Sequence, residues 1–125
     1  MNEEKRMEPV DIRKLSYSFA LRIIELYKYL VKKNEFILSK QVLRCGTSIG
    51  ANVEETQAGQ TKKDFTAKMS IAAKEARETN YWLNLLKESG YINDFKNDST
   101  LTHDLNLIVK TLTKIVKTSQ ENIKK

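Results

Sequence analysis

Proline and glycine are nearly missing from this chain: one Pro, at position 9, and four Gly stand among 125 residues. So little turn chemistry argues against a sheet-rich fold and for helices. A single cysteine, Cys45, excludes an intramolecular disulfide and fits a reducing cytoplasm. As a small apolar helix residue it needs no reactive role. His103 is the only histidine. That excludes the Glu-x-x-His pairs of di-iron bundles and, with one Cys, a zinc site of the usual Cys/His type. No metal or other cofactor is expected. No apolar run approaches the roughly 20 residues that span a bilayer. The start, Met1-Asn2-Glu3-Glu4-Lys5-Arg6, has acids and no apolar stretch of the secretory kind. Together these absences predict a cytoplasmic protein without membrane contact.

The residues that are present describe a globular chain, 40% hydrophobic and 30% charged. Its length allows one domain, over residues 11–125, behind a flexible N-terminal segment of residues 1–10. Lys and Arg number 22 against 16 Asp and Glu, a net +6, with a pI near 9.4. That balance favours nucleic acid or another anionic partner. The excess is spread along the chain rather than gathered in one basic block.

Apolar spacing predicts four helices. Helix one runs from about Asp11 to Lys33, with Ile12, Leu15, Phe19, Ile23, Leu26 and Leu30 on one stripe. Tyr17, Ala20, Leu21, Ile24, Tyr27 and Val31 form a second stripe on another side. Helix two spans Phe36 to Ala58 after a polar turn and stops before Gly59, a candidate C′ residue. Helix three opens at Thr61, where Thr61-Lys62-Lys63-Asp64 approximates a capping box, and reaches Ser89 with Gly90 as its stop. Phe65, Met69, Ala72, Ala76, Leu83 and Leu86 face its core. After a loop at Asn93 to Ser99, helix four runs from about Thr100 to near the C-terminus. Its buried face carries Leu101, Leu105, Ile108, Leu112, Ile115 and Ile123. Short connections make the fold all-α, an antiparallel up-down-up-down four-helix bundle.

Helix two has almost no face left for water. Leu38, Val42, Cys45, Ile49, Val53 and Thr56 form an apolar stripe. Gln41, Arg44, Ser48, Asn52 and Glu55 form a polar one, and Ser39, Gly46 and Gly50 a small-residue one that admits another backbone. Only Lys40 and Glu54 read as ordinarily solvated. One small bundle cannot cover so many sides, so a second subunit is the expected cover. A ring-like homo-oligomer follows as the expectation.

The polar stripe is the strongest constellation. Glu75 and Glu78 on helix three are placed to receive the Arg44 guanidinium, and such a network fixes register between helices or subunits. Trp82, with Ile71 and Leu85, reads as an interface or core anchor rather than a base-stacking platform. Glu75 and Glu78 are also the only candidates for acid–base chemistry, but no nucleophile, metal or histidine accompanies them. Gly46-x-x-x-Gly50 is not a phosphate loop, because no Gly-Lys-Ser/Thr follows. For nucleic acid, Lys110, Lys114, Lys117 and Lys124 on helix four are the first candidates. Lys62, Lys63 and Arg77 form a second patch. A lysine face opposite an apolar stripe is usually only a solvated surface, and repetition in a ring would raise its affinity.

These residues carry a family resemblance. Leu38-Ser39-Lys40-Gln41-Val42-Leu43-Arg44, the run Thr47 to Glu55, Phe65 with Ile71-Ala72, Lys74 to Thr79, and Tyr81-Trp82-Leu83 are its motifs. With them the chain beyond Pro9 resembles the small bacterial four helix bundle protein family. That family is named for members encoded in intervening sequences of large-subunit ribosomal RNA genes. Cys45 stands where many relatives carry Ser. The resemblance implies a four-helix bundle that assembles into rings, typically homopentamers. The accessory variability protein of diversity-generating retroelements is similar, a basic pentamer that binds a reverse transcriptase and nucleic acid. The implied partners are therefore further copies of the chain, RNA or DNA, a reverse transcriptase or ribosomal RNA. The expected function is a non-enzymatic scaffold with a basic binding surface. A pure protein-interaction ring is the alternative, and a hydrolase using Glu75 and Glu78 is a third.

Overall fold

A computed structural model describes residues 9–58 and 61–124 of the chain. Four helices account for most of them: α1 (Ile12–Lys32), α2 (Leu38–Glu55), α3 (Lys62–Glu88) and α4 (Asp98–Lys124). Among the described residues there is no strand. The candidate C′ residue Gly59 and the first eight residues of the expected N-terminal segment lie outside the described residues.

The ends of α1 and α3 follow from local chemistry. Asp11 caps α1 by accepting the Lys14 N–H at 3.1 Å, and Thr61 caps α3 by accepting the Asp64 N–H at 3.2 Å. Both helices finish in the same six-residue wrap. At the end of α3 the Tyr91 N–H bonds Leu86 O at 3.0 Å and the Gly90 N–H bonds Lys87 O at 3.1 Å, with Gly90 at φ 86°. At the end of α1, the Glu35 N–H reaches Leu30 O at 3.0 Å and the Asn34 N–H reaches Val31 O at 2.9 Å. Here Asn34, at φ 63°, does what glycine does in α3.

That wrap shortens α2 relative to the expected span Phe36–Ala58. Residues 33–37 are used in reversing the chain. The Glu35 carboxylate then caps the new helix, accepting the N–H of Ser39 at 2.6 Å and of Ile37 at 3.3 Å. Phe36 and Ile37 are left exposed. At the other end the helix stops at Glu55, where the Thr56 hydroxyl donates to Val53 O at 2.6 Å. By contrast, α4 starts two residues earlier than expected. The Phe95 ring packs on Tyr29 with centroids 5.1 Å apart, which ties down much of the expected loop.

Each helix packs on its chain neighbours, α4 closes on α1, and neither α1–α3 nor α2–α4 packing occurs. The α1–α2 side therefore lies across the molecule from the α3–α4 side. Phe19, Ile23, Leu26 and Leu30 of α1, Val42, Ile49 and Val53 of α2, and Leu101, Leu105, Ile108 and Leu112 of α4 are fully buried. Met69, Ala72, Ala76, Leu83 and Leu86 complete the core from α3. Each large apolar side chain so buried contributes about 1.5–3 kcal/mol relative to an exposed one. Arg22 clamps α1 to α4 through Asp104 and, at 3.2 Å, Thr100 Oγ1. No helix among the described residues is long and apolar enough to cross a membrane.

The small-residue stripe of α2 faces α1 of the same chain. A methyl group on Gly46 would lie 2.8 Å from Ile23 Cγ1, and one on Gly50 would lie 3.2 Å from Ser16 O. The close backbone that this stripe admits is thus internal. One side of α2 nevertheless stays open. Lys40, Arg44, Ala51, Glu54 and Glu55 are exposed in the single chain, more than the two residues expected.

Candidate functional site

The polar stripe and helix three do meet. Arg44 spans two carboxylates, with Nη1 3.4 Å from Glu75 Oε2 and Nη2 hydrogen-bonded to Glu78 Oε2. Trp82 joins them, its indole N–H donating to the same Glu78 oxygen at 3.1 Å. Residues 75, 78 and 82 follow one another at one-turn spacing on α3, so two carboxylates converge on one guanidinium and Trp82 supports the second of them. The Arg44 side chain is 52% exposed and that of Glu75 13%, so the pair is half wet in the single chain. The rest of the stripe does less than expected. Asn52 Nδ2 donates to Ser48 O at 2.9 Å and Ser48 Oγ at 3.1 Å, so both are satisfied inside α2. Gln41 is half-buried, and Glu55 is exposed beyond the network.

The electrostatics oppose a general-acid role for Glu78. The Trp82 hydrogen bond, and then the Arg44 charge, hold the Glu78 carboxyl below the usual carboxylate range against the opposing effect of burial. A general acid at neutral pH needs the opposite shift. His103 is exposed on α4. Cys45 is fully buried, its thiol donating to Val42 O at 3.8 Å, and burial pushes its pKa up. Among the described residues, no three His, Cys, Asp or Glu side chains converge as a metal site needs.

Two surfaces stand out beside this joint. The second stripe of helix one is only partly covered within the chain: Ala20, Tyr27 and Val31 are half-buried, and the other three residues are exposed. Tyr17 is 68% exposed, Leu21 50% and Ile24 37%. With Thr47, Gly50 and Ala51 of α2 they line a shallow groove of about 560 Å³. The Arg13 guanidinium closes its end by binding both oxygens of Glu54 at 2.9 and 2.7 Å. Glu54, expected to be freely solvated, is therefore paired, and that pairing lowers its pKa. Ile71, Tyr81 and Leu85 of α3 are also exposed, flanking the Arg44 joint.

The other surface is basic. All seven lysine and arginine candidates are exposed. Two grooves on the α3–α4 seam gather four of them. Lys62 and Lys114 flank one groove of about 560 Å³, floored by Phe65 and Ile115. Arg77 and Lys117 flank another of about 360 Å³, with Ala73 and Val116 between. Each groove thus brings one cation of α3 beside one lysine of α4. Lys63, Lys110 and Lys124 line neither groove. Thr66 and Ser119 join hydroxyl to hydroxyl across the same seam, a pairing that the spacing of neither helix announces.

Comparison with known proteins places this arrangement. A family model described as 23S rRNA-intervening sequence protein matches residues 8–114. Among solved structures the chain is similar to a protein with unknown function from the S23 ribosomal protein family of Bacteroides thetaiotaomicron. The two share 46% sequence identity, the match covers 85% of this chain and 98% of that one, and the TM-score is 0.80. No curated protein matches the chain.

Proposed function

The chain belongs to the 23S rRNA-intervening sequence protein family, and on that premise we propose that it is a non-enzymatic, self-assembling scaffold for nucleic acid. In this reading the helices form an up-down-up-down bundle. Copies join into a closed ring through the apolar α1–α2 groove and the exposed α3 side around Arg44. Five copies is the number that the family resemblance implies. The basic α3–α4 seam then remains available to RNA, DNA or a protein that handles them, such as a reverse transcriptase, with ribosomal RNA among the RNAs. A cytoplasmic site of action fits the free thiol of Cys45.

One observation carries the reading. Lys62 with Lys114, and Arg77 with Lys117, line two grooves between α3 and α4, while Tyr17, Leu21 and Ile24 line a groove between α1 and α2. A chain whose charge served only solubility has no need to line grooves with it. The separation of the two surfaces also lets assembly and binding coexist, and repetition around a ring raises affinity without new interactions. The uncovered apolar groove supports the assembly half by itself, and with it a ring that binds only protein.

Light scattering after size exclusion, with and without a labelled mixed-sequence RNA, tests both halves. The expected mass of the chain alone is a multiple of 14.5 kDa, with RNA migrating in the same peak at low salt. A monomer at micromolar concentration overturns the assembly. An oligomer that never carries RNA or DNA leaves the protein-interaction ring.

A further inference from the structure

We infer that the groove between Lys62 and Lys114 receives an unpaired base of a single-stranded nucleic acid, with the adjoining phosphates on those two lysines. This rests on the proposed function and narrows it from nucleic acid in general to single strands.

The groove is more than a place where charges gather. Its floor is the ring of Phe65 and the side chain of Ile115, both half-buried, and its volume is about 560 Å³. That falls within the range of about 300–1,000 Å³ typical of small-ligand sites, ample for a nucleoside. Purely electrostatic binding to a duplex requires no apolar floor, because paired bases present no free face. An unpaired base does present one, and aromatic side chains are where such bases stack. The two walls carry their ammonium groups on different helices, so the charges flank the floor as phosphates flank a base. Thr61, the cap of α3, also lines the groove, and the positive end of that helix favours an anion there.

The second groove, with Arg77 and Lys117, shares no lining residue with the first and offers further cations elsewhere on the α3–α4 pair. An acidic peptide would use the same charges, but a compact aromatic floor between two point charges fits alternating base and phosphate better. The hydroxyl pair of Thr66 and Ser119 holds α3 and α4 together beside the floor, so the groove is preformed.

The test compares fluorescence anisotropy titrations of labelled 12-nucleotide oligouridine, oligothymidine and a 12-base-pair duplex at equal salt. The full chain should bind the single strands more tightly than the duplex. Phe65→Leu keeps an apolar side chain against the core but removes the ring. It should weaken single-strand binding about tenfold, within the range that stacking of a base contributes, and leave duplex binding unchanged. Phe65→Trp should restore it. Lys62→Gln with Lys114→Gln should reduce the slope of log affinity against log salt by about 0.7 per lysine on a single strand. Circular dichroism confirms that each variant is folded. Equal effects of Phe65→Leu on both forms, or none on either, overturn the inference and leave nucleic-acid binding standing. Tighter binding of a labelled oligoglutamate than of any strand also overturns it, in favour of an acidic peptide. Absence of all strand binding at low salt sinks the proposed function as well.

Discussion

Gly46→Ala offers the sharpest check on how α1 and α2 are joined. The added methyl would sit 2.8 Å from Ile23 Cγ1, 2.9 Å from Cγ2 and 3.1 Å from Cδ1. Ile23 is fully buried and β-branched, so its side chain has no free rotamer into which to retreat. Overpacking of this kind costs about 1–3 kcal/mol. Against it stands the gain of replacing glycine inside a helix, about 1 kcal/mol. The expected net effect is therefore a loss of up to about 2 kcal/mol, from those two opposing effects. It should exceed that of Gly50→Ala, whose methyl meets Ser16 O at the milder distance of 3.2 Å. A double-mutant cycle isolates the cause. Ile23→Ala alone should cost about 2–5 kcal/mol through the cavity it leaves. In that background the Gly46 methyl enters open space, so the double variant should be more stable than the sum predicts by the relieved clash, about 1–3 kcal/mol. Urea unfolding followed by circular dichroism, at one fixed chain concentration, gives all four values. Additivity within about 0.5 kcal/mol, or a stabilised Gly46→Ala, refutes the reasoning.

Arg44→Ala should cost less than about 1 kcal/mol under conditions where the chain is monomeric, because the pair is half wet, and more where it assembles; concentration-dependent melting separates the two. Glu78 has a lowered pKa, so the stability it contributes is fully present above the ordinary carboxylate range and is lost as pH falls from there through its lowered folded-state pKa. Glu78→Gln should accordingly flatten the acid limb of a stability-against-pH curve, and an unchanged limb would show that the joint carries no linkage. Leu21→Glu, in the middle of the α1–α2 groove, should lower the mass seen by light scattering while leaving helix content intact. Cys45 should resist a thiol reagent at pH 8 in the folded chain and react fully in urea, since burial both hides it and raises its pKa.

Much of this architecture is legible in the sequence because it is written in local periodicity. The stripe of Phe19, Ile23, Leu26 and Leu30 and that of Leu101, Leu105, Ile108 and Leu112 bury as their spacing predicts. Thr61 and Gly90 bound α3 as their chemistry requires. Helix two is shorter than its pattern suggests because its ends depend on a turn that no periodicity marks. Asn34 at positive φ and the Glu35 carboxylate folding back on Ser39 decide where it begins. The Arg44 joint with Glu75 and Glu78 is legible from complementary charge at matching helical faces. Arg13–Glu54 and Arg22–Asp104 are not, because each depends on which helices become neighbours. The same holds for the basic seam. Spacing separates Lys62 and Arg77 from Lys114 and Lys117, and only the packing of α3 on α4 sets Lys62 beside Lys114 and Arg77 beside Lys117.

The salt dependence of nucleic-acid binding tests the central claim most directly. Affinity for a mixed-sequence single strand should fall linearly on a log–log plot as salt rises. Replacing Lys62, Arg77, Lys114 and Lys117 by Gln should lower that slope by about 0.7 for each phosphate deprived of its cation. Replacing Lys63, Lys110 and Lys124, which line neither groove, should change it much less. Loss of slope from the second set and not the first would contradict the seam, and a wild-type chain that binds no strand at low salt would contradict the function built on it.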